Sequence, residues 1–328
     1  MSNNVFPFVI NDFKPFFQTD YGFAYCCDSI NFLKSIPDDS IDLIMTSPPF
    51  ALLKKKKYGN EDSQNYVDWF ITNFANEFKR ILKPTGSLVI DIGGSWNKGY
   101  PTRSLYHFEL LIKLCSDVVG FHLAQEFYWY NPAKIPSPIQ WVNIERVRVK
   151  DSVNTVWWLS KTERPKADNR KVLTPYKASM KKLLKEGYND GPRPSGHKVG
   201  KKWGKDNGGA IPPNLLNYDN LSEVLQDNLL EIPNTEATSR YLQACKSLNI
   251  KPHPARFPAN LPTFFINFLT DPGDVILDPF GGSCVTGEVA EKLHRFWITS
   301  ELNEEYVYSS KFRFYDYSTD QKEVTTSD

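Results

Sequence analysis

Two short stretches, far apart in the chain, carry side chains suited to chemistry on an amino group attached to a flat ring. The first is Met45-Thr46-Ser47-Pro48-Pro49-Phe50, which ends the apolar run Ile41-Asp42-Leu43-Ile44-Met45. That run reads as a short buried strand, so the turn lies at a strand's carboxyl end, where ligands bind in an open α/β sheet. Pro48 has no amide proton and Pro49 keeps its predecessor extended, leaving a stiff turn whose carbonyls are free to accept hydrogen bonds. Ser47 adds a hydroxyl acceptor, and Phe50 a face on which a base can stack. On these six residues alone, a strand end followed by a core aromatic is an equal reading.

The second stretch shifts that balance. Asp278-Pro279-Phe280-Gly281-Gly282-Ser283-Cys284-Val285-Thr286-Gly287 follows the apolar run Val275-Ile276-Leu277 and precedes a helical pattern. A strand, a glycine turn and a helix in that order let backbone approach a cofactor closely. Arg295 to Ser300 reads as the next strand, and Glu301 stands at its end, fourteen residues beyond Gly287. A carboxylate there can accept both hydroxyls of a ribose. No lysine follows the turn as it does in a phosphate-binding ATPase loop.

Other elements must position these groups. Phe23 to Cys27 is a strand candidate, and Asp28-Ser29 can cap a helix carried by Ile30, Leu33 and Ile36. Asp28 suits two compatible roles, helix cap and acceptor from a ligand's amino group. Asn65 to Leu82 predicts an amphipathic helix, with Tyr66, Trp69, Phe70, Phe74, Phe78 and Ile81 recurring at three and four residues. Lys83-Pro84-Thr85-Gly86 stops it and turns the chain. Ser87 to Ile92 is another inner strand, ending at Gly93-Gly94-Ser95-Trp96, where Trp96 suits either a pocket wall or the core. A helix over 104–118 and strands over 123–130 and 155–159 complete the rhythm of a doubly wound α/β domain. His253, within Lys251-Pro252-His253-Pro254, has no nearby serine, cysteine or carboxylate to form a nucleophile and base pair, so it is a structural or ligand-contact residue.

Composition bounds the partners. The chain has 328 residues, 41% hydrophobic and 23% charged, enough for one large domain with an insertion. Its net charge of +1 does not announce a nucleic-acid binder, but the distribution does more. From Lys161 through Ala210 fourteen Lys or Arg face five Asp or Glu, an excess of nine positive charges in a stretch rich in turn residues. An irregular basic insertion can follow a duplex surface, although a solvated lid would show the same composition. The run Lys54-Lys55-Lys56-Lys57 is either solvated surface or a phosphate contact beside the first turn. No apolar stretch approaches the roughly 20 residues that cross a membrane. The five cysteines, Cys26, Cys27, Cys115, Cys245 and Cys284, lack metal-site spacing and read as free thiols in a reducing, cytoplasmic setting.

Ser47-Pro48-Pro49-Phe50, paired with Asp278-Pro279-Phe280-Gly281-Gly282-Ser283, resembles the amino-methylating (N4-cytosine or N6-adenine) DNA methyltransferases, in the group whose catalytic segment precedes the S-adenosyl-L-methionine segment. The resemblance covers nearly all of residues 20–310. One departure is Cys284, where many members carry a third glycine. The resemblance implies a Rossmann-like methyltransferase fold, a seven-stranded, mostly parallel sheet with circularly ordered motifs. It orders the strands as 23–27, 296–300, 275–277 and 41–45, and divides the chain into a catalytic part (1–160), a target-recognition insertion (161–245) and a cofactor part (246–328).

It also implies roles. Ser47, Pro48, Pro49 and Phe50 form the catalytic turn, and Asp28, Asp278, Phe280, Gly282 and Glu301 the cofactor site. Lys54 to Lys57 together with Arg193, Lys198 and Lys201 contact double-stranded DNA. The target base is flipped from the stack. Adenine-methylating members commonly have an acidic residue where Ser47 stands, which favours cytosine N4 over its rival, adenine N6. Cytosine C5 chemistry needs a nucleophilic Cys, and Cys26, Cys27 and Cys115 have no Pro-Cys setting. Closeness over the whole chain implies CAGCTG, methylated at the inner cytosine, and protection against a cognate restriction endonuclease that need not touch the protein. The expected state is a monomer, nucleoid-associated when bound to DNA. A binding-only module with the same fold, or an RNA methyltransferase, would share most of these motifs.

Overall fold

The computed structural model describes residues 5–51, 65–132, 134–187, 205–217, 221, 223–224, 239–256 and 258–316. Its strands are β1 (Phe17–Gln18), β2 (Gly22–Cys26), β3 (Ile41–Thr46), β4 (Leu82–Ile92), β5 (His122–Tyr130), β6 (Val153–Ser160), β7 (Leu215–Leu216), β8 (Val275–Asp278) and β9 (Phe296–Glu301). They form one sheet in the order β1-β2-β9-β8-β3-β4-β6-β5-β7. The five inner strands from β2 to β4 run parallel, and β6 is antiparallel to both β4 and β5. The neighbours expected for the two motifs are present: β9 lies between β2 and β8, and β3 adjoins β8. Seven strands become nine because two-residue edges are added, β1 antiparallel on β2 and β7 parallel on β5.

The strand sequences explain why the sheet is covered on both sides. Every residue of β3 is buried, and alternate side chains enter opposite cores. Ile44, Leu88, Ile90 and Leu277 pack with Phe32, Phe70, Phe78 and Leu110 on one face. Leu43, Met45, Val89 and Ile276 pack with Leu261, Phe265, Val289 and Val307 on the other. A strand buried on both faces reads as a continuous apolar run, and period-two alternation decides which residue feeds which core.

Two elements differ from the sequence expectation. The helix expected over 65–82 runs from Tyr66 to Ile81, but its middle turn, Ile71–Ala75, is a π-turn between Tyr66–Phe70 and Asn76–Ile81. Such a turn rotates the next helical segment relative to a regular α-helix. Lys83-Pro84-Thr85-Gly86 belongs to β4 rather than to a free turn. β3 pairs Ile41 with Leu82 and then Leu43 with Ser87, so these four residues take up the irregularity in register.

The start of the basic stretch is tied to the rest of the protein. Lys161 pairs with Asp39 at 2.6 Å, Lys166 with Asp271 at 2.8 Å and Asp274 at 2.5 Å, and Lys171 with Asp271. Acids outside 161–210 thus offset part of the local excess of nine. Lys54, Lys55, Lys56, Lys57, Arg193, Lys198 and Lys201 lie outside the described residues. Among the described residues no helix is long and apolar enough to cross a membrane.

Close packing of β2 on β9 yields a stability test. A Cβ at Gly22 would stand 2.2 to 2.5 Å from ring atoms of Trp297, whose indole is buried and stacked on Phe314 at 4.9 Å. Gly22→Ala therefore forces β2 away from β9, and urea unfolding should show a loss of about 1–3 kcal/mol. An unchanged midpoint and slope would mean that the indole yields freely.

Candidate active site

The carboxyl ends of the parallel strands open onto one cavity of about 520 Å³. Ser47, Pro48, Pro49 and Phe50 line it from the end of β3, and Asp278, Phe280 and Gly282 from the end of β8. Asp28 and Glu301 line it from the ends of β2 and β9. All nine catalytic and cofactor candidates among these residues thus surround one space.

The two turns are joined through Asp278. Its carboxylate accepts from Thr46 Oγ1 at 2.8 Å, Thr286 Oγ1 at 2.8 Å and the Phe280 amide at 3.1 Å. It therefore braces the turn from beneath, linking β3 to β8 and to the helix Val285–Lys292. Burial pushes it up to about 6, against the pull of these hydrogen bonds.

Backbone shape makes the glycine turn. Gly282 has φ +52°, and the His253 ring stands 3.2 Å from where its Cβ would be. The Gly282 amide donates to Glu301 Oε2 at 2.9 Å, and Glu301 Oε1 accepts from the Asn303 amide at 2.9 Å. Glu301 is thereby fixed with lone pairs to spare, and burial raises its pKa. Asp28 is both cap and cavity wall: its Oδ1 accepts from the Ile30 amide at 2.8 Å at the start of the helix Ser29–Lys34. Ser29 Oγ donates to the Pro279 carbonyl and tethers the turn to that helix. Phe280 rests on Phe74, with ring centroids 5.0 Å apart.

At the other turn, Ser47 Oγ donates to Asp91 Oδ2 at 3.3 Å. Asp91 is 2% exposed in the otherwise apolar end of β4, and it lines the cavity with Asn154 of β6. Burial pushes Asp91 up to about 7, while Asn154, Ser47 and Lys134 pull the other way. The Phe50 ring lies against Gly93, where a Cβ would stand 2.6 Å from it. That glycine leaves room for the ring beside the Ser47 turn.

His253 lines the cavity wall. Its amide is held by Tyr241 Oη at 2.8 Å, its Nδ1 lies 2.5 Å from the Ala255 carbonyl, and burial lowers it to about 4. Trp96 is neither of the alternatives read from sequence: it is a half-buried platform flanked by Arg148 at 3.8 Å and Arg103 at 5.2 Å. Trp69, Phe74, Asp91, Trp129, Asn154 and Arg256 also line the cavity and escaped the sequence reading. Only Asp91 carried a usable signal there, as a carboxylate within a buried strand.

The raised carboxyls make stability depend on pH. A folded pKa above the ordinary carboxylate value means that the native state binds more protons than the unfolded one. The stability that Asp91 contributes is fully present below about pH 4 and is lost as pH rises through about 7. Asp91→Asn should remove that loss. Its unfolding free energy should gain on the parent by on the order of a few kcal/mol between about pH 5 and about pH 8. A parent-to-variant difference that stays constant across this range would show that Asp91 is ionised throughout.

Comparison with known proteins agrees with this geometry. A model of the N6/N4 methyltransferase family, described as DNA methylase, matches residues 41–312. The chain is 52% identical over 315 residues to the Type II methyltransferase M.PvuII of Proteus hauseri, covering 95% of this chain and 89% of that protein. It is 25% identical over 287 residues to the DNA adenine methyltransferase YhdJ of Escherichia coli (strain K12), covering 85% and 78%. The solved structure of the PvuII DNA methyltransferase (cytosine-N4-specific) aligns with a TM-score of 0.74 and 46% identity, over 96% of this chain and 94% of that one. The family match spans both turns and the adjacent strands β3 and β8 that carry them, and this chain belongs to the N6/N4 DNA methylase family.

Proposed function

We propose that this protein transfers a methyl group from S-adenosyl-L-methionine to the exocyclic N4 of cytosine in double-stranded DNA. The observation that carries the reading is the single cavity lined by both the Ser47–Phe50 turn and the Asp278–Gly282 turn. The residues present suit the cofactor. A Cβ at Gly281 would stand 1.9 Å from Thr299 Oγ1, so the turn is folded hard onto β9 and presents backbone to the cavity. Glu301 would take the ribose hydroxyls and Gly282 the methionine portion. Asp28 and Phe280 would bound the adenine end, with Asp278 bracing the turn. When bound, S-adenosylmethionine supplies a methyl group made electrophilic by its sulfonium.

The chain's own residues do the rest. Cytosine N4 is a weak nucleophile because its lone pair is delocalised into the ring. Ser47 Oγ and the Pro48 carbonyl accept hydrogen bonds from its two N–H groups and favour the tetrahedral form, and Phe50 holds the ring by stacking. For Ser47 to accept, its own proton needs an acceptor, and Asp91 Oδ2 at 3.3 Å supplies one. On transfer of the methyl group that S-adenosylmethionine would supply, Ser47 Oγ would take one N4 proton while passing its own to the Asp91 carboxylate. The base reaches this recess only by leaving the duplex stack.

The 52% identity to M.PvuII supports a finer reading. In it, the protein is the protective member of a restriction-modification pair and methylates the inner cytosine of CAGCTG. It acts as a cytoplasmic monomer on the nucleoid, and residues 161–245 recognise the site. Lys54 to Lys57, Arg193, Lys198 and Lys201 would contact DNA.

Single-base mapping of DNA methylated by the purified protein should find N4-methylcytosine at the inner cytosine of CAGCTG. A different short site would remove that specificity, and N6-methyladenine alone would move the enzyme to the rival class. Ser47→Ala should lower methyl transfer by about 100-fold or more while duplex binding is kept. A parent that binds DNA and transfers no labelled methyl would make the protein a binding module. Glu301→Ala should weaken cofactor binding more than DNA binding, and equal cofactor titrations for variant and parent would remove Glu301 from the site.

A further inference from the structure

The segment between β5 and β6 stands at the cavity's rim, because Trp129 near the end of β5 and Asn154 near the start of β6 both line the cavity. Its sequence is unusual for a connection. Ile135, Ile139, Ile144, Val147 and Val149 are each between 60% and 85% exposed. Single exposed aliphatics are ordinary, but five within fifteen residues mark a surface that meets a partner. Cations are interleaved with them: from residue 134 to 150, Lys134, Arg146, Arg148 and Lys150 face one acid, Glu145. Across the rim, Arg148 lies over Trp96 and donates to the Pro101 carbonyl. Aliphatic tips set in a cationic border match the apolar base stack and the charged backbone of a duplex.

Within this segment Ile135 is held out in a fixed place. Lys134 beside it is anchored inward, its Nζ donating to Asn154 Oδ1 at 2.8 Å. Lys150 Nζ clamps the same stretch from behind through the Pro132 and Lys134 carbonyls, at 2.9 and 3.3 Å. Pro136 comes next and restricts Ile135 to extended backbone. The side chain is 74% exposed, and Lys134 just before it is bonded to Asn154 of the cavity wall.

We propose that Ile135 is a wedge that enters the base stack of duplex DNA next to the target base and fills the space that base leaves. Exposed Arg146 of the same rim then lies against the phosphates. This rests on the reading of the cavity as a pocket for a base drawn from duplex DNA. An aliphatic wedge fills the vacated space and offsets the combined unpairing and unstacking cost of opening the duplex, so its contribution shrinks when the target base is already unpaired.

Single-turnover methyl transfer by the parent, Ile135→Ala and Ile135→Leu separates these roles on two duplexes. One has the target paired with guanine, and the other has an abasic position opposite it. Ile135→Ala should slow transfer about tenfold on the paired duplex and stay within about twofold of the parent on the abasic one. Ile135→Leu should keep the parent's rate on both. Equal rates for Ile135→Ala and the parent on the paired duplex, or an equal fall on both duplexes, would overturn the wedge. A parent inactive on both would instead overturn the methyltransferase reading beneath it, and the wedge with it.

Discussion

The structure depends on one buried contact, the hydrogen bond from Thr46 to Asp278 across the middle of the sheet. It joins residues 232 positions apart and is the point at which the acceptor turn and the glycine turn become one site. Parallel strands make such a junction natural, because neighbouring carboxyl ends deliver their loops to the same edge whatever their order in the chain. Adjacency of β3 and β8 is what matters. The backbone pairing Leu43 to Ile276 and Ile44 to Leu277 holds the spacing of the turns, and Thr46 and Asp278 lock it just beyond the last paired residues.

Holding a polar site over a dry sheet has a thermodynamic consequence. Asp91 and Asp278 are both nearly sealed from water, and burial opposes their charged forms more than their hydroxyl and amide partners support them. Their environments differ in a way that suits different work. Asp278 is surrounded by three donors and belongs to the scaffold. Asp91 faces the cavity, receives a long hydrogen bond from Ser47 and is raised further, so it is the carboxyl poised near neutrality. A carboxyl with that affinity can hold a proton or release it at little cost, whereas the Asp278 network gains nothing by opening.

Much of this was legible in the sequence because it rests on local patterns. Apolar runs ending in Ser47-Pro48-Pro49-Phe50 and Asp278-Pro279-Phe280-Gly281-Gly282 mark strand ends directly, and all four inner strands ordered from them are neighbours as expected. What sequence could not show depends on distant partners. Trp69 and Phe74 repeat like core residues, and only the π-turn between helical segments brings both to the cavity wall. Lys161, Lys166 and Lys171 count as free charge in a composition window, yet their acids come from residues 39, 271 and 274. Asn154 and Trp129 lie at the ends of an antiparallel pair, where nothing in their own neighbourhoods distinguishes cavity from surface.

Cys284 shows how a local departure from the pattern is absorbed. It adopts φ 57° and ψ 41°, a left-handed conformation that costs a side-chain-bearing residue roughly 1–2 kcal/mol. The conformation is retained because the turn needs it: the Cys284 amide donates to the Gly281 carbonyl at 2.7 Å, closing the turn before the helix Val285–Lys292 begins. Space for the thiol comes from Gly287, where a Cβ would lie 2.5 Å from Cys284 Sγ and 2.9 Å from the Trp297 ring. Burial and the packed indole fix the sulfur and raise its pKa, so the thiol is a small apolar filler with no nucleophilic character at this position. Gly287 thus makes room for a side chain at 284, and Gly281 and Gly282 still line the cavity.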